Sequence, residues 1–267
     1  MTEDKKSEGR RRVVAHLFSG GADSTLAACL LARSFDEVRL ITYTSFSFLA
    51  EEMALSRLEK MRARFPDVEF VHLFIPIDAF YREISRRDYF RTLMRYGVLA
   101  ISPCRACMLA MHWRHLLYCL QNGICHASDG VAAGAEEFVE QNPRILMPML
   151  KGLYARFKIA YENPVYQEGL STDEELYRLG ITEQSQVKRT PEDRQIICSQ
   201  QILFAMTMRV FLSRHTFTEY EETSRRMLGE GTAYIREQTE RYIETQGTGS
   251  RAEELLDDHV RLGIARA

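Results

Sequence analysis

Val13-Val14-Ala15-His16-Leu17-Phe18 runs straight into Ser19-Gly20-Gly21-Ala22-Asp23-Ser24-Thr25, and the reading of this stretch decides the fold. A short apolar run ended by a glycine pair reads as a strand buried in a parallel sheet. From Ser24 to Arg33, Leu26, Ala27, Leu30 and Leu31 recur at helical spacing. The loop is therefore expected between a strand's C-terminal end and a helix N-terminus. Glycines let the backbone come close to an anion, and a helix N-terminus offers unpaired N–H groups and a positive dipole end. Ser19, Ser24 and Thr25 add hydroxyls, whereas Asp23 repels phosphate unless a cation intervenes, which points to Mg2+ bridging protein and phosphates. The plainer reading is a glycine turn with an Asp/Ser helix cap. The loop is neither a Walker loop, lacking Gly-Lys-Ser/Thr, nor a GxGxxG dinucleotide fingerprint.

Outward from the loop, strands and helices alternate. Val38 to Tyr43 and Val68 to Ile75 read as strands, and Glu51 to Phe65 as an amphipathic helix carrying Met53, Leu55, Leu58 and Met61. Tyr81 to Tyr96 and Cys107 to Gln121 read as helices, with a loop over Gly97 to Pro103. Ile124 to Ala127 reads as a fourth strand, turned at Ser128-Asp129-Gly130, and Arg144 to Leu150 as a fifth, broken by Pro148. Alternation of this kind implies βαβ units and a parallel sheet with helices on both faces. Beyond about Leu170 the strand signals fade. Thr172 to Leu179, Ser199 to Leu212, Phe217 to Leu228, Thr232 to Thr245 and Ala252 to Leu262 read as helices, divided by Gly229–Gly231 and Gly247–Gly249. The expected organisation is a disordered basic tail over 1–11, an α/β domain over 12–170 and a helical region over 171–267.

The composition is that of an ordinary soluble domain: of 267 residues, 45% are hydrophobic and 27% charged, with a net charge of −2. That balance gives no general pull towards nucleic acid, leaving only local basic patches. No apolar run is long enough for a membrane span and no secretory signal is read at the start, so a cytoplasmic setting without a disulfide framework is expected.

The chain has six cysteines, so position must say what each does. Pro103-Cys104-Arg105-Ala106-Cys107 sets two thiols across one turn where a loop enters a helix, a place that lowers a thiol's pKa. Such a CxxC serves as a redox pair, half a metal site, or a catalytic pair. His112 and His115, on the same helix, would complete a zinc site with it. Cys29 and Cys119 read as core residues, and Cys125 as a buried strand residue held as a backup ligand. His126 reads as a core histidine near the cleft. Arg82, Arg86, Arg87, Arg91 and Arg95, among Tyr81, Tyr89, Phe90 and Tyr96, form a stretch able to hold RNA phosphates and stack on bases, or simply a solvated face. Lys151, Arg156, Lys158 and Lys188-Arg189 are further basic candidates near phosphates or thiolates.

The string SGGADS resembles the phosphate loop of the PP-loop (N-type) ATP pyrophosphatases, Rossmann-like enzymes that cleave ATP between the α- and β-phosphates and adenylate a substrate. The resemblance implies a pyrophosphate site at Ser19, Gly20, Gly21, Asp23, Ser24 and Thr25. It also implies an adenine contact at the end of the second strand, Ile41-Thr42-Tyr43-Thr44, with Thr42 as the cofactor-binding candidate. Tyr96-Gly97 followed by Pro103-Cys104-x-x-Cys107 and Gly123 resembles the tRNA thiolases of that group, including the 2-thiouridylases. One such subgroup carries a persulfide on two cysteines, and another holds a [4Fe–4S] cluster by CxxC and a distant cysteine. Cys198, 94 residues beyond Cys104, is the distant cysteine this implies. Cys104, Cys107 and Cys198 are thus the catalytic or metal-ligating candidates, and Asp129 a further catalytic one at a strand end.

The resemblance covers roughly residues 13–200. It departs from the 2-thiouridylase pattern where Met108 follows the CxxC, and where Ala127-Ser128-Asp129-Gly130 replaces a Thr-Gly-His type motif. The function it implies is ATP-dependent thiolation of tRNA or a small molecule, with Mg2+, a sulfur donor protein or sulfide, no membrane, and a homodimer as a possible assembly. The alternatives are an amide- or nitrile-forming ligase with zinc on the CxxC, and a nucleotide sensor without turnover.

Overall fold

The chain opens with β1 (Val13–Leu17), α1 (Ala22–Leu31) and β2 (Glu37–Thr44), a βαβ unit whose strands pair in parallel with Val13 beside Glu37. The computed structural model describes residues 11–49, 54, 55, 57–131, 139, 140, 142–167, 169–183, 197–256, 261 and 262. After β3 (Phe48–Leu49) and α2 (Leu58–Arg64), β4 (Glu69–Pro76) pairs in parallel with β2. Next come α3 (Asp78–Arg86), α4 (Tyr89–Tyr96), a 3-10 turn over Gly97–Ile101 and α5 (Pro103–Gln121). The chain then returns to the other side of β1 for β5 (His126–Ser128), α6 (Pro143–Arg156) and β6 (Ala160–Glu162). The rest is α7 (Thr172–Arg178), β7 (Ile197–Cys198), α8 (Gln201–Leu212), α9 (Phe217–Glu244), α10 (Arg251–Glu254) and β8 (Arg261–Leu262).

The sheet order is β6-β5-β1-β2-β4-β8, with the first five strands parallel and β8 antiparallel on β4. Alternate residues of each central strand feed two separate cores, as the two-residue period of a strand requires. On one face Val14, Val38 and Leu40 pack with α1, α2 and α7; on the other Ala15, Ile41 and Tyr43 pack with α3, α5, α6, α8 and α9. This is a Rossmann-like α/β fold, with helices on both faces and a helical C-terminal region. The helices after residue 170 add to both cores: Leu176 to the first, and Phe204, Tyr220 and Ile235 to the second.

Several expectations are corrected. Arg144 to Leu150 is not a strand but part of α6, which Asn142 caps by accepting from Arg144 N at 3.0 Å, with Pro143 at the start. Ile145, Leu146, Leu150 and Leu153 bury one helical face, which holds the helix despite Pro148 inside it; the fifth strand is β6. Tyr81 to Tyr96 is two helices, broken where Asp88 takes φ 48. The second helix begins at Leu58 among the described residues, well inside Glu51 to Phe65. Gly229 and Gly231 do not divide the C-terminal helices. α9 runs through both; a Cβ on Gly231 would lie 2.4 Å from Leu109 Cδ1, so the glycine lets α9 sit close on α5. Ala252 to Leu262 splits into α10 and the edge strand β8. No helix among the described residues is long and apolar enough to cross a membrane.

Candidate active site

The strand order reverses between β1 and β5, and open α/β sheets bind ligands at the carboxyl ends of the strands beside such a reversal. Two segments meet there: Ser19-Gly20-Gly21 after β1, and Asp129-Gly130 after β5. A Cβ on Gly130 would lie 2.5 Å from Ser24 Cα, so the β5 turn presses directly on the first turn of α1. Beneath this contact His16, fully buried in β1, ties the pieces together through Nε2 with Ser24 O at 2.9 Å and Nδ1 with Ser128 Oγ at 3.2 Å. Burial lowers its pKa to about 4, against its two hydrogen bonds, so the ring is neutral.

No side chain caps α1, and its first backbone bond runs from Thr25 N to Gly21 O at 3.0 Å. The preceding N–H groups thus open on the crevice, which suits an anion. The hydroxyls expected to bind phosphate are engaged in shaping the loop. Ser24 Oγ donates to Gly21 O at 3.1 Å and accepts from Ser19 N at 3.3 Å, and Thr25 Oγ1 donates to Gly21 O at 2.8 Å. Asp23 accepts from Thr172 Oγ1 at 2.6 Å, which joins the loop to α7. Gly20 takes φ 72 and meets Ala54, while its carbonyl accepts from buried Arg57 Nη1 at 3.2 Å. Arg57 escaped the sequence reading because it fell inside an expected amphipathic helix.

Asp129 is buried at the crevice beside the loop. Tyr161 of β6 donates to Oδ2, and Val131 N to Oδ1 at 3.3 Å. Burial raises its pKa to about 6, only partly opposed by these two donors. A carboxylate held out of water in a crevice is the kind of perturbed group that marks functional sites. No signal singled out Tyr161, which reaches Asp129 only through the β5–β6 ladder. Thr42 is buried at the end of β2, donating to Phe18 O at 2.7 Å, with His72 Nε2 also at 2.7 Å.

Because α5 leads into β5, its N-terminal turn lies at the same edge of the sheet as the loop. That turn starts at Pro103 and holds Cys104 and Cys107. Cys198 arrives from far along the chain by pairing with Phe48 in the β3–β7 ladder, which Ser199 N to Ser47 O at 2.9 Å extends. Each of the three thiols lies within electrostatic reach of the other two or of Tyr81, which feels them all. The helix N-terminus does not lower the CxxC pKa values as expected. Burial pushes both thiols up to about 12, helped for Cys104 by Glu140 and for Cys107 by Cys198. All six cysteines are free.

The zinc arrangement is not formed. His112 and His115 are buried: His112 Nδ1 bonds Tyr154 at 3.3 Å, and His115 bonds Tyr43 at 2.9 Å and Ala15 O at 3.2 Å. Among the described residues no three His, Cys, Asp or Glu side chains meet around a point able to hold one metal ion. Cys125 is exposed rather than buried, and it lies before β5, at the opposite edge from Asp129. His126 packs edge-on against Phe35 with ring centroids 5.0 Å apart. Arg156 pairs with Glu240 of α9 at 2.7 Å, and Lys188-Arg189 lies outside the described residues.

No family model and no curated protein match the sequence. Solved structures similar to it include a 4-thiouridine synthetase in complex with RNA and bound ATP, at 13% identity and a TM-score of 0.46, over 94% of this chain and 55% of that one. The chain thus spans about half that protein's length. NMN synthetase from Francisella tularensis is similar at 14% identity and a TM-score of 0.42, over 85% of this chain and 87% of that one. The U34-tRNA thiolase NcsA from Methanococcus maripaludis, with its [4Fe-4S] cluster, is similar at 14% identity and a TM-score of 0.38, over 87% of this chain and 76% of that one.

Proposed function

We propose that this chain is a PP-loop ATP pyrophosphatase that adenylates a substrate and then exchanges the activated oxygen for sulfur. One observation carries the reading: the uncapped N-terminus of α1, with its SGGADS loop, sits at the strand-order reversal against buried Asp129. ATP is a substrate of this crevice. Ser19, Gly20, Gly21, Asp23, Ser24 and Thr25 surround its β- and γ-phosphates, chiefly through backbone N–H groups, and the strand end at Thr42 meets the adenine. Mg2+ enters with the triphosphate, and Asp23 has a second carboxylate oxygen to offer it beyond the one Thr172 holds. A substrate oxygen attacks the α-phosphorus and pyrophosphate leaves. Loop N–H groups and Arg57 beside Gly20 offset the developing charge.

Sulfur then replaces the adenylated oxygen and AMP departs. Cys104, Cys107 and Cys198 are the residues for this step. A cluster takes one thiolate per iron, so it does not need three sulfurs around a single ion. Cys104, Cys107 and Cys198 would hold that group, which would supply iron-bound sulfide there. Free cysteines throughout the described residues suit a reducing cytoplasmic setting. The division into a basic lead-in over 1–11, a catalytic domain over 12–170 and a helical region over 171–267 belongs to the same proposal, as does assembly as a homodimer.

The test is AMP and pyrophosphate formation from labelled ATP, with and without bulk tRNA, in sulfide or in ammonium. Sulfide-dependent AMP with labelled sulfur in RNA is the expected result. AMP formed only with ammonium replaces thiolation by amidation, and ATP binding without AMP reduces the chain to a nucleotide sensor.

A further inference from the structure

A cavity of about 500 Å3 opens between α3, α4 and α9, with Arg105 of α5 in its wall. Arg105 lies between the two CxxC cysteines in sequence, in the first turn of α5. Arginines and carboxylates both line it, but they do not cancel. Glu230 is taken by Arg95 at 2.7 Å, Glu237 by Arg241 at 2.6 Å, Glu240 by Arg156 at 2.7 Å and Asp88 by Arg87 at 3.5 Å. Three lining arginines are left over. Arg91 and Arg236 are exposed, Arg105 is buried, and none makes a hydrogen bond or ion pair among the described residues.

Arg105 is the telling member. It is only 7% exposed and its Nε is buried without a partner. Glu140 and Glu230 attract it from a distance without bonding it. A guanidinium held out of water and left unbonded is costly unless an anion completes it. Beside the groove on α4, Phe90 is 81% and Met94 88% exposed, apolar surface next to a row of cations.

We propose that this groove binds phosphodiesters of single-stranded nucleic acid, with Arg91, Arg105 and Arg236 on successive phosphates and Phe90 beneath a base. Phosphates satisfy unpaired guanidiniums by bidentate bonds, and exposed aromatic surface beside cations is how single strands are held without sequence readout. The inference deepens the proposed function by naming where on this chain its RNA would lie, and because binding is read without ATP its failure is distinguishable from failure of the adenylation reading.

The test is fluorescence anisotropy of the full chain with a labelled ten-nucleotide single-stranded RNA across a salt series, without ATP. Replacing two phosphate-contacting arginines, Arg91→Ala with Arg236→Ala, should weaken binding at least tenfold and flatten the log–log salt slope by about 1.4. The same charge change at exposed Arg33 and Arg64, away from the groove, should leave both unchanged. Arg105→Met is a third variant, and the exposed pair carries the test if it fails to fold. Phe90→Ala should weaken binding about five- to a hundred-and-fiftyfold, the equivalent of about 1–3 kcal/mol. The proposal is overturned if the groove pair binds RNA like the unaltered chain, or if the Arg33/Arg64 pair loses as much. It is also overturned if inorganic phosphate binds in an Arg105-dependent way while RNA does not, which would make the groove a site for a free phosphorylated molecule.

Discussion

The Tyr161 hydroxyl donates to the Asp129 carboxylate across the β5–β6 ladder, both side chains buried beside the SGGADS loop. Tyr161 thereby holds the acid in place, and its bond offsets only part of the cost of keeping a charge out of water.

That cost has a definite pH dependence. The folded pKa of about 6 lies above the ordinary 3.8, so the fold binds this proton more tightly than the unfolded chain. The stabilisation is full below 3.8 and is lost as pH rises through 6. Above that, the ionised carboxylate costs up to about 3 kcal/mol, since two pKa units correspond to twice 1.36 kcal/mol. Asp129→Asn should therefore raise the urea midpoint of ligand-free protein at pH 7.5 by the equivalent of about 1–3 kcal/mol, and the gain should vanish near pH 4. AMP formation should fall in the same variant. A variant less stable than the parent at pH 7.5 would mean the carboxylate is not strained.

Gly130→Ala should disrupt the crevice. Its methyl would meet Ser24 Cα at 2.5 Å and Ser24 N at 2.8 Å, backbone that moves only with α1. Overpacking of this kind costs about 1–3 kcal/mol, and nucleotide binding measured by calorimetry should be lost. Gly152→Ala is the counterpart inside α6, where nothing lies within 4 Å. It should stabilise by about 0.5–1 kcal/mol and leave nucleotide binding intact.

Gly231→Ala meets the far end of a side chain, Leu109 Cδ1 at 2.4 Å, rather than backbone. It should destabilise by about 1–2 kcal/mol. Combining it with Leu109→Ala should cost less than the sum of the two single changes, as coupled neighbours do. Additive melting temperatures would show that α9 does not press on α5 at this point.

Anaerobically purified protein should carry iron and acid-labile sulfide near about four per chain, both lost in Cys198→Ser. Metal analysis with an absorption spectrum decides it. Zinc without iron would remove the cluster and leave cysteine-borne sulfur or amidation.

The strand, the phosphate loop and the helix after it were legible because each rests on local periodicity and local turn chemistry. The same holds for the CxxC at a helix start, where Pro103 marks the first turn. Arg144 to Leu150 was misread because Pro148 looked like a strand break, when a cap at Asn142 and a buried helical face outweigh it. The glycines of α9 looked like a helix end for a similar reason, since only the approach of Leu109 explains Gly231. Thiol acidity was misjudged because burial, invisible in the spacing, outweighs the helix terminus.

The sequence by itself determined a parallel α/β fold with a phosphate-type loop at the end of its first strand, since a six-residue apolar run, a glycine pair and a helical pattern interact with near neighbours. Only the tertiary structure decided what surrounds that loop. Ser24 against Gly130, Arg57 on Gly20, Tyr161 on Asp129 and Cys198 paired with Phe48 each join segments far apart in the chain. Their partners follow from strand order and from which face each side chain occupies, and no local pattern encodes those.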